Sequence, residues 1–241
     1  MTQVAKRLNI PTEAKSSLEK FVPSVEWDGV VLAESLNAEF IQIRNAIADA
    51  ARNYEWTKLV KLVSKQPELI NVARLGSTSL YSPLHQAAHA GAPVEVANQL
   101  IQLGAWRTLQ NVLGERPVDI AEKRGHRHLL EPLTPIHKHH VPIGILLRMQ
   151  ANFHLVVLGR ADELVKQHRL RLPELEPLLE LDKPEMWFHI PGMYGGFKYW
   201  LDRDGIDCRL IAESWCRVAG GSGQRHEISS SGSRLVDEGF V

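Results

Sequence analysis

The residues best equipped for chemistry lie near the end of the chain. Ser222, Arg225, His226 and Glu227, with Glu213 and Arg217 just upstream, offer a hydroxyl, cations, an imidazole and carboxylates. Were the chain an enzyme, His226, Glu227, Arg225, Glu213 and Arg217 would be its polar groups for acid–base or electrostatic work. Neighbours on a strand point to opposite faces, so His226 faces away from Arg225 and Glu227. A nucleophile and its base would therefore need a partner from another strand. No nucleophile, base and orienting group recur at a spacing that defines a known mechanism, and the plainer reading is a hairpin tip with solvated charges.

Other chemical candidates weaken on inspection. His137-Lys138-His139-His140 is a run of neighbouring histidines in a linker, which by itself does not build a tetrahedral shell; no metal or cofactor is expected. Cys208 and Cys216 share one face of an expected strand, where eight residues at about 3.3 Å each place them roughly 26 Å apart. They read as reduced, apolar packing residues. Gly220-Gly221-Ser222-Gly223 lacks the Lys-Ser/Thr ending of a phosphate loop and a following helix. In Gly192-Met193-Tyr194-Gly195-Gly196-Phe197 the glycines allow either a close approach of backbone or ligand, or a simple turn. Trp187, Trp200 and Trp215 build a core or, where exposed, serve as contact anchors.

These residues need strands to hold them. Past Pro184 the apolar pattern alternates: Met186 to Ile190 is one strand, and Phe197, Tyr199 and Leu201 share a face with Lys198, Trp200 and Asp202 on the other. Asp204-Gly205 signals a hairpin turn, the next strand runs from Cys208 to Val218, and Gln224 to Ile228 and Arg234 to Val236 follow. Residues 185–241 are expected to form an antiparallel β-meander of four or five strands. Before them, residues 134–184 read as a linker and helical bridge. A strongly buried helix runs from Pro142 to about Gly159, a second starts at Ala161 and fades at Arg169, and a third spans Pro173 to Leu181.

The middle of the chain has a different period. Ser82 offers a hydroxyl cap, Pro83 sits where no N–H is needed, Leu84, Ala87 and Ala88 form a narrow apolar stripe, and Gly91 ends the short helix. Pro117, Val118, Asp119, Ala121 and Gly125 lie 34 positions after Pro83, Leu84, His85, Ala87 and Gly91. Upstream, Ala50-Ala51 aligns with Ala87-Ala88 at an offset of 37, and Tyr54 stands where the helix-ending glycine belongs. Ser82-Pro83-Leu84-His85-Gln86-Ala87-Ala88-His89-Ala90-Gly91 resembles the signature of the ankyrin repeat, whose period is about 33 residues.

The resemblance covers residues 43–133 and implies a short helical solenoid of about three units, the outer ones degenerate, with terminal caps. Residues 1–42 are the N-terminal arm or cap, in which Leu18, Phe21 and Val22 suggest a short helix. The whole chain is thus expected to be α+β. By resemblance, His85 is structural, bonding within the turn network, and the concave surface of finger tips and inner helices binds other proteins. Carried onto this sequence, that surface includes Arg74, Ser79 and Tyr81 in one finger, Gln86 and His89 on the inner helix, Trp106 and Arg107 in the next finger, and Glu115 and Arg116 beyond. The implied function is an intracellular adaptor that holds or inhibits an unidentified protein partner, as an immunity-type protein does. The alternative is an enzyme or ligand-binding β domain with the repeats as a targeting device.

Composition bounds these readings. The 241 residues carry 28 basic and 28 acidic side chains, a balance that counts against a general nucleic-acid or membrane-surface binder. The first residues lack the apolar core of a signal peptide and no run approaches the roughly 18 apolar residues that span a bilayer, so a cytoplasmic protein is expected. Self-association through the β region is a further expectation.

Overall fold

Asn37 opens the first helix by accepting the amide of Phe40 on its side chain, at 2.9 Å. In the computed structural model, which describes residues 25–216 and 222–239, this helix is α1 (Ala38–Arg52), and α2 (Trp56–Val63) returns beside it. The same device recurs as α3 (Pro83–Ala90) with α4 (Val94–Gln102), and again as α5 (Pro117–Arg124) with the one-turn α6 (Leu130–Leu133). Within each unit the two helices touch; between units α1, α3 and α5 form one layer, and α2, α4 and α6 a second. The small residues Ala50, Ala51, Ala87, Ala88 and Ala121 lie almost wholly buried in the resulting core, with Ile47, Leu59, Leu84, Leu100 and Leu129 around them.

The repetition extends to backbone geometry. At the end of each inner helix, Tyr54, Gly91 and Gly125 take φ of 62°, 63° and 76°. Just beyond, Glu55 N–H bonds Ala50 O at 2.9 Å, Ala92 N–H bonds Ala87 O at 3.0 Å, and His126 N–H bonds Ala121 O at 2.8 Å. This closes a left-handed cap that satisfies a carbonyl the helix would otherwise leave free. Two units use glycine for this conformation, and the first forces a tyrosine into it.

From Ile143 to His168 the chain is helical in two parts joined across a kink at Ala161, where φ −147° and ψ 30° leave the helical region; together they are α7 (Ile143–His168). The two helices expected here thus meet at that kink, and the second ends at His168 with Arg169 as its cap. The expected third helix, Pro173 to Leu181, is a one-turn 3-10 segment, Glu176–Glu180, with Leu175, Leu178 and Leu179 buried beneath it. Rather than bridging two bodies, α7 lies against the sheet. Met149, Phe153 and Val157 join Met186, Phe188, Phe197, Tyr199, Leu210 and Ile228 in one core. Phe153 meets Phe197 edge-on at 6.1 Å and Tyr199 at 4.9 Å.

The sheet is the five-stranded antiparallel meander β1 (Glu185–Ile190), β2 (Gly195–Leu201), β3 (Leu210–Cys216), β4 (Ser222–Ser229) and β5 (Gly232–Glu238), in that order. The chain is α+β. Asp204-Gly205 does not close a two-residue turn, because the β2–β3 connection runs from Asp202 to Arg209 and contains a 3-10 turn at Gly205–Asp207. Cys208 consequently precedes its strand instead of lying in it. The edge at β1 is covered by the N-terminal arm: Trp187 N–H donates to Val25 O and Trp27 N–H to Trp187 O, both at 2.8 Å. β5 remains the open edge, irregular where its pairing with β4 shifts at Arg225/His226. The expected short helix at Leu18 to Val22 lies outside the described residues.

Candidate binding cleft

Arg74, Ser79, Tyr81, Gln86 and His89 come from a finger loop and the inner face of α3, and all five line one cleft of about 680 Å³. Its other wall is α1 and the turn after it, with Ala48, Ala51, Arg52 and Tyr54. The finger is held by backbone bonds and by the Ser77 hydroxyl. Ser77 N–H donates to Arg74 O at 3.1 Å, Ser79 N–H to the Ser77 hydroxyl at 3.2 Å, and Gly76 N–H to Val31 O at 2.8 Å. Gly76 and Leu80 both take positive φ, 70° and 55°, to fold the loop back on the helices. Arg74 reaches across to Asp49 of α1.

Tyr81 forms the aromatic floor, stacking on His85 with ring centroids 5.6 Å apart and meeting His89 edge-on at 5.9 Å. His85 is fully buried. Its Nδ1 accepts the Ser82 amide at 3.3 Å and the Ser82 hydroxyl at 2.8 Å, which leaves the proton on Nε2 to bond Glu115 O at 3.2 Å. Burial pushes its pKa down to about 4, so it stays neutral. It joins one unit to the finger of the next. His89 Nε2 accepts from the Arg124 guanidinium of α5, and burial, then Arg124 and His126, lowers its pKa. A neutral ring carries its proton on Nδ1, which is enclosed and has no hydrogen-bond partner among the described residues.

The remaining surface candidates are used internally. Trp106 is buried and stacks on Trp27, so it is not a finger-tip contact. Arg107 donates its Nε–H to Pro132 O at 2.9 Å and its amide to Glu180 at 3.2 Å, while the Thr108 amide and hydroxyl reach Glu180 at 2.8 and 2.6 Å. Arg116 clasps Glu176 through both carboxylate oxygens, at 2.7 and 2.5 Å. Glu115 takes Asn111 and Lys123, and these hold its carboxyl below its usual range. The finger from Trp106 to Arg116 is thus docked on the chain's own 3-10 segment.

Residues that sequence reasoning passed over make this junction. Arg171 covers the Trp27 ring at 5.1 Å, bonds Gln110 O and pairs with Glu174. Glu174 also accepts the Gln110 amide at 3.0 Å; burial raises its pKa against the pull of Arg171. Arg44, 2% exposed, ties Asp28, Val30 O and Ala73 O together from inside α1. The available signal was the spacing of Glu174, Glu176 and Glu180, carboxylates placed among apolar residues in a stretch read as one amphipathic helix.

The polar set near the chain end does not converge. His226 lies opposite Ala212 and Leu235 and is lowered in pKa by burial and by Arg160 of α7. The neighbouring register positions Glu213 and Arg225 pair with each other, Arg225 Nε to Glu213 at 2.6 Å. Glu227 accepts Arg209 at 3.2 Å and Arg234 at 2.8 Å. Arg160 takes Ser222, at 2.5 Å from its hydroxyl. His226 is thereby separated from both carboxylates by the sheet itself. Arg217 lies outside the described residues.

The other candidates also have structural placements. His137 faces Glu176 at 3.3 Å, Lys138 reaches Asp182 at 2.7 Å and His139 bonds Leu181 O at 3.1 Å. Among the described residues no group of three or more His, Cys, Asp or Glu side chains is gathered for a metal. Both cysteines are free thiols, and burial pushes Cys208 up to about 11. At Gly196 the close neighbours are Phe188 O and the Trp187 ring, 2.2 and 2.9 Å from where a Cβ would stand, so this glycine serves strand packing. Trp187 and Trp215 meet beside it at 5.9 Å. Among the described residues no helix is long and apolar enough to cross a membrane.

No family model and no curated protein matches the chain. Among solved structures it is similar to one chain of the complex between a predatory endopeptidase from Bdellovibrio bacteriovorus and an immunity protein, with 25% identity and a TM-score of 0.32. That match covers 36% of this chain and 43% of the other, so it spans less than half of either length.

Proposed function

We propose that this chain is an ankyrin-repeat interaction protein that binds a partner protein in the cleft between the Arg74–Tyr81 finger and helices α1 and α3. The observation that carries the reading is the convergence of Arg74, Ser79, Tyr81, Gln86 and His89, five residues from two elements, on one cleft with Tyr54 opposite. Two backbone features support it. Tyr54 and Leu80 occupy left-handed conformations that cost a side-chain-bearing residue about 1 kcal/mol each; Tyr54 lines the cleft, and Leu80 lies in the chain between the lining residues Ser79 and Tyr81. The recurrent caps at Tyr54, Gly91 and Gly125, and the buried His85 linking successive units, fit the repeat signature. His226 lies on the opposite face of β4 from Arg225 and Glu227, so this set of polar residues does not favour the enzyme alternative.

The test is affinity capture with the full chain and with a variant in which Tyr54, Tyr81 and His89 are replaced together by alanine. The expected result is loss of the specific partner from the variant with its thermal melting cooperative. Capture that is unchanged overturns the reading. When the captured partner is an enzyme, its activity with and without the full chain separates holding from inhibition.

A further inference from the structure

The cleft differs in charge from the protein that carries it. The chain as a whole balances 28 basic against 28 acidic residues, yet the cleft lining holds Arg52, Arg74 and His89 and no aspartate or glutamate. Arg74 is answered from outside the lining by Asp49. Arg52 is exposed on α1 and forms no ion pair among the described residues, and Arg124 spends its guanidinium on the neutral His89 instead of on a carboxylate. Of the lining cations, Arg52 is therefore left without a counter-charge among the described residues, while Arg124 lies outside the lining, on His89.

The rest of the lining is suited to an extended chain. Ser77, Thr78 and Ser79 line one wall, where the Ser77 and Ser79 hydroxyls bond each other, Gln86 presents an amide, Tyr81 is the floor and Tyr54 adds a second aromatic ring. Guanidinium groups are planar forks that match a carboxylate through paired hydrogen bonds. A phosphate backbone needs a long track of cations to bind well, and this cleft offers a short one in a neutral protein.

From this we infer that the occupant of the cleft is an acidic, extended segment of the partner protein, with a carboxylate seated at Arg52 and the main chain running along the Ser77–Ser79 wall. The inference rests on the reading of the cleft as the partner-binding face.

The experiment measures fluorescence anisotropy of the full chain with four labelled probes. They are a short peptide alternating glutamate with tyrosine and serine, the same peptide with glutamine for glutamate, the same with lysine, and an oligothymidylate. The glutamate peptide is expected to bind, with the glutamine version at least about tenfold weaker, and to weaken further as salt rises. Arg52→Glu should weaken it by about tenfold or more, Arg52→Lys by less, and Lys61→Glu, on the outer helix α2, not at all. Equal binding of the glutamine or lysine peptide, equal binding of the oligonucleotide, absence of glutamate-peptide binding, or indifference to Arg52→Glu each overturns the inference. The failures are distinguishable: a partner whose capture depends on Tyr54, Tyr81 and His89 but not on Arg52 or salt sinks this inference alone. Capture indifferent to all of them sinks the reading beneath it.

Discussion

Trp27 and Trp106 stack with ring centroids 6.0 Å apart and planes within 5° of parallel, although one belongs to the N-terminal arm and the other to a loop of the helical stack. Arg171 closes the sandwich from the segment after α7, and the Trp27 indole N–H bonds Arg171 O at 3.0 Å. Three distant parts of the chain meet at this point, in the core that also holds the sheet. Trp106→Ala should therefore cost about 3–5 kcal/mol in urea unfolding and loosen both the stack and the sheet together. A double-mutant cycle with Trp27→Leu and Trp106→Leu should show coupling of about 1 kcal/mol. Independent, additive effects would argue that the arm and the finger are not joined there.

His85 should make stability fall in acid. Its folded pKa of about 4 lies below the ordinary value of 6.5, so between these pH values the unfolded chain binds the extra proton. Its contribution is complete above about pH 6.5 and is lost as the pH falls towards 4, by up to about 1.4 kcal/mol per pH unit. Replacing His85 by glutamine should flatten this part of the profile while lowering stability at pH 7 by about 1–3 kcal/mol, because bonds to Ser82 and Glu115 are lost. Denaturant melts across pH 4–7 measure both.

Glu26 should act in the opposite direction. Although the residue keeps solvent contact, burial of its carboxyl and then the proximity of Asp28 and Glu68 raise its pKa to about 7. The folded state therefore favours the protonated acid. That contribution is complete below about pH 4.5 and disappears as the pH rises through 7. Glu26→Gln, which fixes a neutral side chain, should raise the melting temperature at pH 8 and leave it little changed at pH 5. Solvent screening limits the gain to about 1 kcal/mol. Equal shifts at both pH values would count against the carboxylate as the cause.

Tyr54 should separate stability from binding. Its φ of 62° matches Gly91 and Gly125 at the equivalent caps, so Tyr54→Gly relieves backbone strain. The loss of its ring contact with Trp56, at 5.6 Å, offsets part of the gain. A net stabilisation of about 0.5 kcal/mol is expected in urea melts, with weaker capture of the partner. A variant that binds unchanged would mean the tyrosine is not kept for the cleft.

The elements were the legible part. Alternation marked the strands because one face of each meets the core, and the period of small residues marked the helical units because their close approach demands alanine at fixed positions. Ser82, Pro83 and Gly91 announced their local roles because caps are made by residues a few positions apart. The break within α7 was legible as well, since the apolar stripe is interrupted between Gly159 and Ala161, where the backbone leaves the helical region.

The sequence by itself determined the strand order of the meander, the positions of the helical units and the five residues that line the cleft, all consequences of local period and local capping. Only the tertiary structure decided that Trp106, Arg107 and Arg116 are spent inside the molecule, that α7 covers the sheet, and that His226 is cut off from its would-be partners. These outcomes depend on contacts between residues far apart in the chain, 144 positions in the case of Trp27 with Arg171. A single chain carries no record of which of its exposed-looking loops another segment will cover, because an indole or a guanidinium suits a solvent-facing site and an internal seam equally well.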